Sequence, residues 1–461
     1  MKRACYLLLS CLAAAAPLPA HAQKATALTG NWSGTLGPLT LLAHLAEHNG
    51  TPTGTLDVPA QNAKNLPLEV TERGDSVYLR LPVAHAVFAG RRSADGQALT
   101  GEWRQNGRAA PLTLTKVAAG TPVGLRRPQQ PQAPFPYNVL DVTFRNAQAQ
   151  VQLAGTYTVP AGKGPFPAVA LLTGSGPEDR NSTLFGHQPF AVLADYLTRR
   201  GVAVLRFDDR GVGQSGGTLA GTTSLDYAAD AQAALAWLRA RPEVNKHKVG
   251  LVGHSQGGTA AIEAAGQPLG PDRLVLLAAP GLPGDELIVQ QVLALARLQT
   301  TDSVQLAYIE RAQRQVVATV AQNPDNAQAR TKLLALLNQG GATDAATLAR
   351  LDAQIKQATS PGYRHLLADR PALTLPKVHC PVLALGGSKD LQVPAAANLA
   401  ALKQGLQAGG NHDVTTQVLP GLNHLFQTAS TGSPSEYGLI EETFAPAALQ
   451  VIADWLLAPG R

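Results

Sequence analysis

The chain has 461 residues with a formal net charge of +6, long enough for two or three domains. That charge is modest for the length, and no Lys/Arg cluster alternates with aromatic residues, which argues against a nucleic-acid partner. Two of the three cysteines, Cys5 and Cys11, fall in the first 22 residues, so a chain processed after them has no second thiol for Cys380 and no intramolecular disulfide.

Residues 1–22 read as a cleavable export signal: Lys2 and Arg3 form the positive region, Leu7 to Ala16 the apolar core, and Ala20-His-Ala22 a small-residue cleavage site. The mature protein then begins at Gln23 and, having lost Lys2 and Arg3, carries +4 in place of +6. Cys11 follows Leu8-Leu-Ser10 as a lipid-attachment cysteine would, but the apolar stretch runs on past it, which argues against a lipid anchor. The expected location is the periplasm or the exterior. No other run is apolar for long enough to span a membrane.

Residues 26–117 hold short segments near period two, such as Leu39 to Leu45, Ser76 to Leu81 and Leu112 to Thr115. Gly30-Asn-Trp-Ser-Gly34 and Leu99-Thr-Gly-Glu-Trp103 read as glycine punctuation between them. This pattern predicts a small all-β sandwich or barrel, which could contact substrate or the cell envelope. Residues 118–136 contain five prolines and few apolar residues, and read as a semi-rigid linker.

From Asn138 to the C-terminus (138–461) strands and helices alternate. Phe166 to Leu172 is a strand leading into the loop Thr173-Gly-Ser-Gly-Pro177. A second strand, Val202 to Leu205, leads into Asp208-Asp-Arg-Gly-Val-Gly-Gln-Ser215, whose glycine spacing does not match a dinucleotide fingerprint. There Asp208 and Arg210 are expected to pair and brace the top of the sheet. His187 is expected to order the loop over the oxyanion site.

Next, Lys248 to Val252 forms a strand, Gly253-His-Ser-Gln-Gly257 a sharp turn and the following small residues a helix, which places Ser255 at a strained apex. An Ala/Leu/Gln-rich helical stretch, about 284–370, then interrupts the sheet and reads as a cap that shapes a pocket and excludes water. The sheet resumes with Cys380 to Gly387, which delivers Asp390 at its C-terminal end, and with Val414 to Leu419, which leads to His424.

Serine is a weak nucleophile at its free pKa and needs a base and a group to orient that base. The order Ser255, Asp390, His424 supplies nucleophile, acid and base in the sequence expected of an α/β-hydrolase. The developing oxyanion needs donors. The backbone N–H of Gln256 at the helix start is one candidate, and the N–H of Ser175 in the glycine loop is the other. Cys380, before Pro381 at a strand start, reads as a small buried hydrophobe.

Five segments carry a family resemblance: Gly174-Ser-Gly-Pro-Glu-Asp-Arg-Asn181, Arg206-Phe-Asp-Asp-Arg-Gly-Val-Gly-Gln-Ser215, Gly253-His-Ser-Gln-Gly-Gly258, Gly387-Ser-Lys-Asp-Leu-Gln-Val-Pro394 and Pro420-Gly-Leu-Asn-His424. From about Asn138 onward the chain resembles the α/β-hydrolase superfamily, and within it the secreted bacterial serine aminopeptidase-like and dienelactone hydrolase-like groups. Thr173 departs from the pattern, standing where many relatives have histidine. The resemblance implies a mostly parallel sheet flanked by helices, with a helical cap and the small N-terminal all-β domain added to it. It also implies a serine hydrolase with no metal or organic cofactor. A small carboxylic ester, cleaved through an acyl-enzyme, is the expected substrate, because an ester has a better leaving group than an amide and no acidic cluster that clearly captures an α-amino group stands out in the sequence. Two alternatives stand beside it: a peptidase acting on short peptides, and an envelope- or polysaccharide-binding protein with secondary hydrolase activity.

Overall fold

The computed structural model describes residues 28–61, 63–118, 126–338, 341 and 343–458. The export-signal reading of residues 1–22 lies outside them, as does part of the linker. The chain forms two compact units, one holding nearly all of the N-terminal strands and one holding the rest.

The first unit is a closed barrel of eight strands in sequence order. They are β1 (Gly30–Leu36), β2 (Leu39–His48), β3 (Thr51–Val58), β4 (Ala63–Arg73), β5 (Ser76–Leu81), β6 (Ala86–Arg92), β7 (Ala98–Gln105) and β8 (Arg108–Val117). Closure is made by the antiparallel pairing of β1 with β8. Strand β5 alternates strictly, with Val77, Leu79 and Leu81 turned inward and Tyr78 and Arg80 outward, as period two requires. The two glycine-bearing segments read as punctuation are themselves strands, β1 and β7. Their glycines serve close backbone approach: a Cβ on Gly34 would lie 2.3 Å from the Thr113 carbonyl oxygen, and one on Gly101 2.1 Å from that of Ala89. Trp32 fills the barrel interior, fully buried, and its indole N–H donates to the Leu28 carbonyl at 2.8 Å.

The second unit is built on an eight-stranded sheet in the order β16-β15-β14-β13-β11-β12-β10-β9. Its strands are β9 (Asn138–Asn146), β10 (Val151–Val159), β11 (Phe166–Leu172), β12 (Ala203–Phe207), β13 (Val244–His254), β14 (Arg273–Leu277), β15 (Val382–Gly387) and β16 (Val414–Leu419). The neighbours from β12 through β11, β13, β14 and β15 to β16 are parallel, and at the other edge β10 pairs antiparallel with both β12 and β9. Both faces are covered, so the central strands are near-continuous apolar runs. In β11, Ala168, Ala170 and Leu172 join the core shared with helices α2 (Ser224–Arg239), α3 (Gln256–Ala265) and α9 (Ala395–Ala408). Val169 and Leu171 face the opposite core, with α1 (Pro189–Arg199) and α10 (Pro446–Leu457).

Between β14 and β15 come α4 (Gly284–Ala296), α5 (Ser303–Gln322), α6 (Asn326–Leu337), α7 (Ala345–Ala358) and α8 (Pro361–Ala368). Asp302, Asp325, Asp344 and Ser360 cap four of these helices at their N-termini with side-chain oxygens. The five share an apolar cluster of their own that includes Ile288, Val317, Val320, Leu333, Ile355 and Leu367.

Replacing Trp32 with alanine removes the largest fully buried side chain of the barrel. The expected cost is about 3–5 kcal/mol, read from urea unfolding followed by circular dichroism.

Candidate active site

Ser255 sits between the end of β13 and the start of α3 with φ 53° and ψ −121°, a backbone region that only surrounding structure can hold for a non-glycine residue. The neighbouring glycines make the turn possible. A Cβ on Gly253 would lie 2.3 Å from the Gly257 carbonyl oxygen, one on Gly257 2.2 Å from that of Thr173, and one on Gly258 2.3 Å from the Ala279 Cβ. The Ser255 N–H donates to the Leu277 carbonyl at 2.9 Å, which ties the turn to the end of β14.

The three side chains predicted to act together do meet. His424 Nε2 is 3.1 Å from Ser255 Oγ, and His424 Nδ1 is 2.8 Å from Asp390 Oδ2. Asp390 is fully buried, and its other oxygen accepts the N–H groups of Gln392 at 2.9 Å and Val393 at 2.8 Å, which leaves Oδ2 to the imidazole. The loops carrying base and acid are stitched together: the N–H groups of Ser388 and Lys389 donate to the carbonyls of Leu419 and Leu422, and Lys389 Nζ donates to the carbonyls of Ala429 and Ser430. Buried Asn423 shapes the His424 turn, its Oδ1 accepting the N–H groups of Leu425 and Gln427, both at 3.0 Å.

Gln256 and Ser175 line the same cavity as Ser255. The Gln256 N–H is among the first of α3, where a helix has no internal acceptor to offer. The cavity measures about 470 Å³, and its far walls come from α4, α7 and α8: Leu287, Ile288, Gln291, Gln357, Tyr363 and Leu366. Among the described residues, none that lines it is Asp, Glu, Lys or Arg.

Several readings of individual residues change. Asp208 and Arg210 do not pair with each other. Asp208 takes a two-pronged contact from Arg180, with Nε at 3.0 Å and Nη2 at 2.7 Å, while Arg210 reaches α2, bonding Asp230 and Asp226. A charge pattern along one loop does not reveal partners supplied by the preceding loop and the following helix. His187 is buried, bonds Thr443 Oγ1 and approaches Gln427 and the Tyr437 carbonyl, so it anchors the C-terminal segment behind His424. Burial lowers its pKa to about 4, which keeps the ring neutral. The reading of Cys380 as a small hydrophobe does not change: it is half-buried, and burial pushes its thiol up to about 12, far from nucleophilic thiolate character.

Sequence reasoning passed over three groups. His254, next to the serine, donates from Nε2 to the His424 carbonyl at 2.9 Å with the two rings 4.9 Å apart, and burial lowers its pKa to about 4, so it steadies the base as a neutral ring. Asp209 accepts the Thr173 hydroxyl at 2.7 Å and the Glu178 N–H at 3.2 Å, bracing both ends of the loop that carries Ser175. Glu178 in turn accepts the Ser182 hydroxyl and the Gly174 N–H. Burial raises the pKa of both acids, that of Asp209 to about 7. The clue lay in the doubled acid Asp208-Asp209 behind an apolar strand, of which one member pairs with arginine and the other does not.

A carboxyl raised to about 7 in the folded state imposes no penalty at pH values where both states are protonated, and its full penalty above pH 7, where both are ionised. The stability of the wild type relative to Asp209→Asn is therefore expected to fall between about pH 4 and pH 7, by up to about 4 kcal/mol, and to level off above. Denaturant unfolding of both proteins across that range checks the slope.

Comparison with known proteins agrees with this architecture. Residues 187–428, which contain Ser255, Asp390 and His424, match the family model described as serine aminopeptidase, S33. The esterase EstD of Thermotoga maritima is 27% identical over 288 residues, 62% of this chain and 61% of the relative, so the match spans less than two thirds of that protein's length. Among solved structures, Est1E from Butyrivibrio proteoclasticus with bound ferulic acid is 16% identical with a TM-score of 0.42, covering 68% of this chain and 96% of that one. A dienelactone hydrolase from Anabaena variabilis is 17% identical with a TM-score of 0.39, covering 70% and 98%. With more than half of its length matching the family model on a sheet of this topology, the chain belongs to the serine aminopeptidase S33 family of α/β-hydrolases.

Proposed function

We propose that this protein is a serine hydrolase that cleaves uncharged carboxylic esters by way of an acyl-enzyme. The observation that carries the reading is the relay of Ser255 Oγ, His424 Nε2, His424 Nδ1 and Asp390 Oδ2, linked at 3.1 and 2.8 Å. In this reading His424 takes the serine proton as Oγ attacks the ester carbonyl. Asp390 holds the imidazole in the tautomer with its proton on Nδ1 and stabilises the imidazolium. The N–H groups of Gln256 and Ser175 receive the oxyanion, and His424 returns the proton to the departing alkoxide. Water activated by the same base then releases the acid.

An ester is favoured over a peptide by the cavity itself. An aminopeptidase needs a carboxylate to receive an α-ammonium group, whereas this cavity has no acidic residue in its lining and presents Leu287, Ile288, Tyr363 and Leu366. The similarity to EstD, whose name is that of an esterase, points the same way.

With p-nitrophenyl butyrate as substrate, Ser255→Ala and His424→Ala are each expected to lose about three or more orders of magnitude in kcat. Unaltered turnover in Ser255→Ala would remove the proposal, and faster cleavage of aminoacyl p-nitroanilides than of the ester would replace it with a peptidase. The export reading of residues 1–22 extends this proposal to the periplasm or beyond, where N-terminal sequencing of the recovered protein is expected to start at Gln23.

A further inference from the structure

Glu178 closes a small ring at the loop that carries Ser175. Its carboxyl reaches back along the chain to accept the Gly174 N–H, while its Oε2 accepts the Ser182 hydroxyl. Oε1 stands 3.1 Å from where a Cβ on Gly174 would sit, and the same point is 3.5 Å from His254 Nδ1 and 3.7 Å from Ser255 Cβ. Gly174 is therefore clamped between the carboxyl and the nucleophile turn, and with no side chain of its own it can be held only by its backbone. The backbone of Glu178 is fixed in turn: its N–H donates to the Asp209 carboxylate and its carbonyl accepts the Asp209 N–H, both at 3.2 Å.

Glu178 does not line the Ser255 cavity, whereas Ser175, one residue on from Gly174, does. Burial is the largest influence on the Glu178 carboxyl and raises its pKa, so the group is kept at a desolvation cost that its hydrogen bonds offset only in part. We propose that Glu178 is a positioning residue for the oxyanion hole: by holding the Gly174 N–H it fixes the Gly174–Ser175 peptide, and with it the direction of the Ser175 N–H. This inference rests on the serine-hydrolase reading above. One oxyanion donor contributes about two to three orders of magnitude in kcat, and a donor left in place but misdirected loses part of that factor.

In the full chain, with p-nitrophenyl butyrate as substrate, Glu178→Ala is expected to lower kcat by about tenfold or more while KM stays within about twofold. Butylboronic acid forms a tetrahedral adduct with the serine that places an oxygen in the hole, and its Ki is expected to rise by the factor by which kcat falls. Glu178→Gln keeps an acceptor for the Gly174 N–H and is expected to recover most of the lost rate. A merely structural role would lower the melting temperature and leave kcat and the boronate Ki of the folded protein unaltered, and that result would overturn the inference. Glu178→Gln as slow as Glu178→Ala would overturn it too, since charge and not the hydrogen bond would then be the active property. If Glu178→Ala does not fold, Ser182→Ala, which releases Oε2, carries the test: a fall in kcat of about threefold at constant KM is expected, and an unaltered kcat would sink the inference. A wild type that cleaves neither this ester nor aminoacyl p-nitroanilides ends the hydrolase reading and this inference with it, whereas an active wild type beside an equally active Glu178→Ala ends this inference alone.

Discussion

Everything at the active site depends on one residue held in a backbone conformation it would not choose. Ser255 has φ 53° because β13 must reverse into α3 within a single residue, and the three glycines around it let strand, helix and the β11 loop approach to distances that any side chain would forbid. The strain is sustained by structure on every side: Leu277 of β14 accepts the serine N–H, and the Thr173 and Leu172 carbonyls press against Gly257. What the fold gains is a hydroxyl clear of its own backbone beside the first free amides of a helix.

The other two members of the relay reach that hydroxyl by a different device. Asp390 and His424 lie on loops after adjacent parallel strands, β15 and β16, so the register between those strands sets how far apart the loops begin. The backbones of the two loops are then hydrogen-bonded to each other through Ser388 to Leu419 and Lys389 to Leu422, which ties the two side chains together. His254 adds a third fixation, from the nucleophile side to the carbonyl of the base. The hydrogen-bonded line from Ser255 through His424 to Asp390 is therefore positioned largely by main-chain geometry.

Much of this was legible along the chain because parallel strands buried on both faces leave apolar runs, and the functional residues stand where those runs end. Ser255, Asp390 and His424 could be picked out from that punctuation alone, and their side chains do meet. Less local features could not. The partners of Asp208 and Arg210 come from Arg180 and from α2, segments whose approach is a property of the sheet order. Glycines in β1 and β7 look like turns in a linear reading, because the crowding that requires them exists only once the barrel closes. The neutral character of His254 and His187 and the raised pKa of Asp209 arise from burial, which a string of residues does not display.

The helices from α4 to α8 bury an apolar cluster of their own, while only a few of their side chains reach the space above Ser255. Ile288, Tyr363 and Leu366 belong both to that cluster and to the wall of the cavity, whereas Gln291 and Gln357 reach the cavity without joining the cluster. The shape of the cavity is therefore tied to the packing of the helices at the first three positions and released from it at the two glutamines.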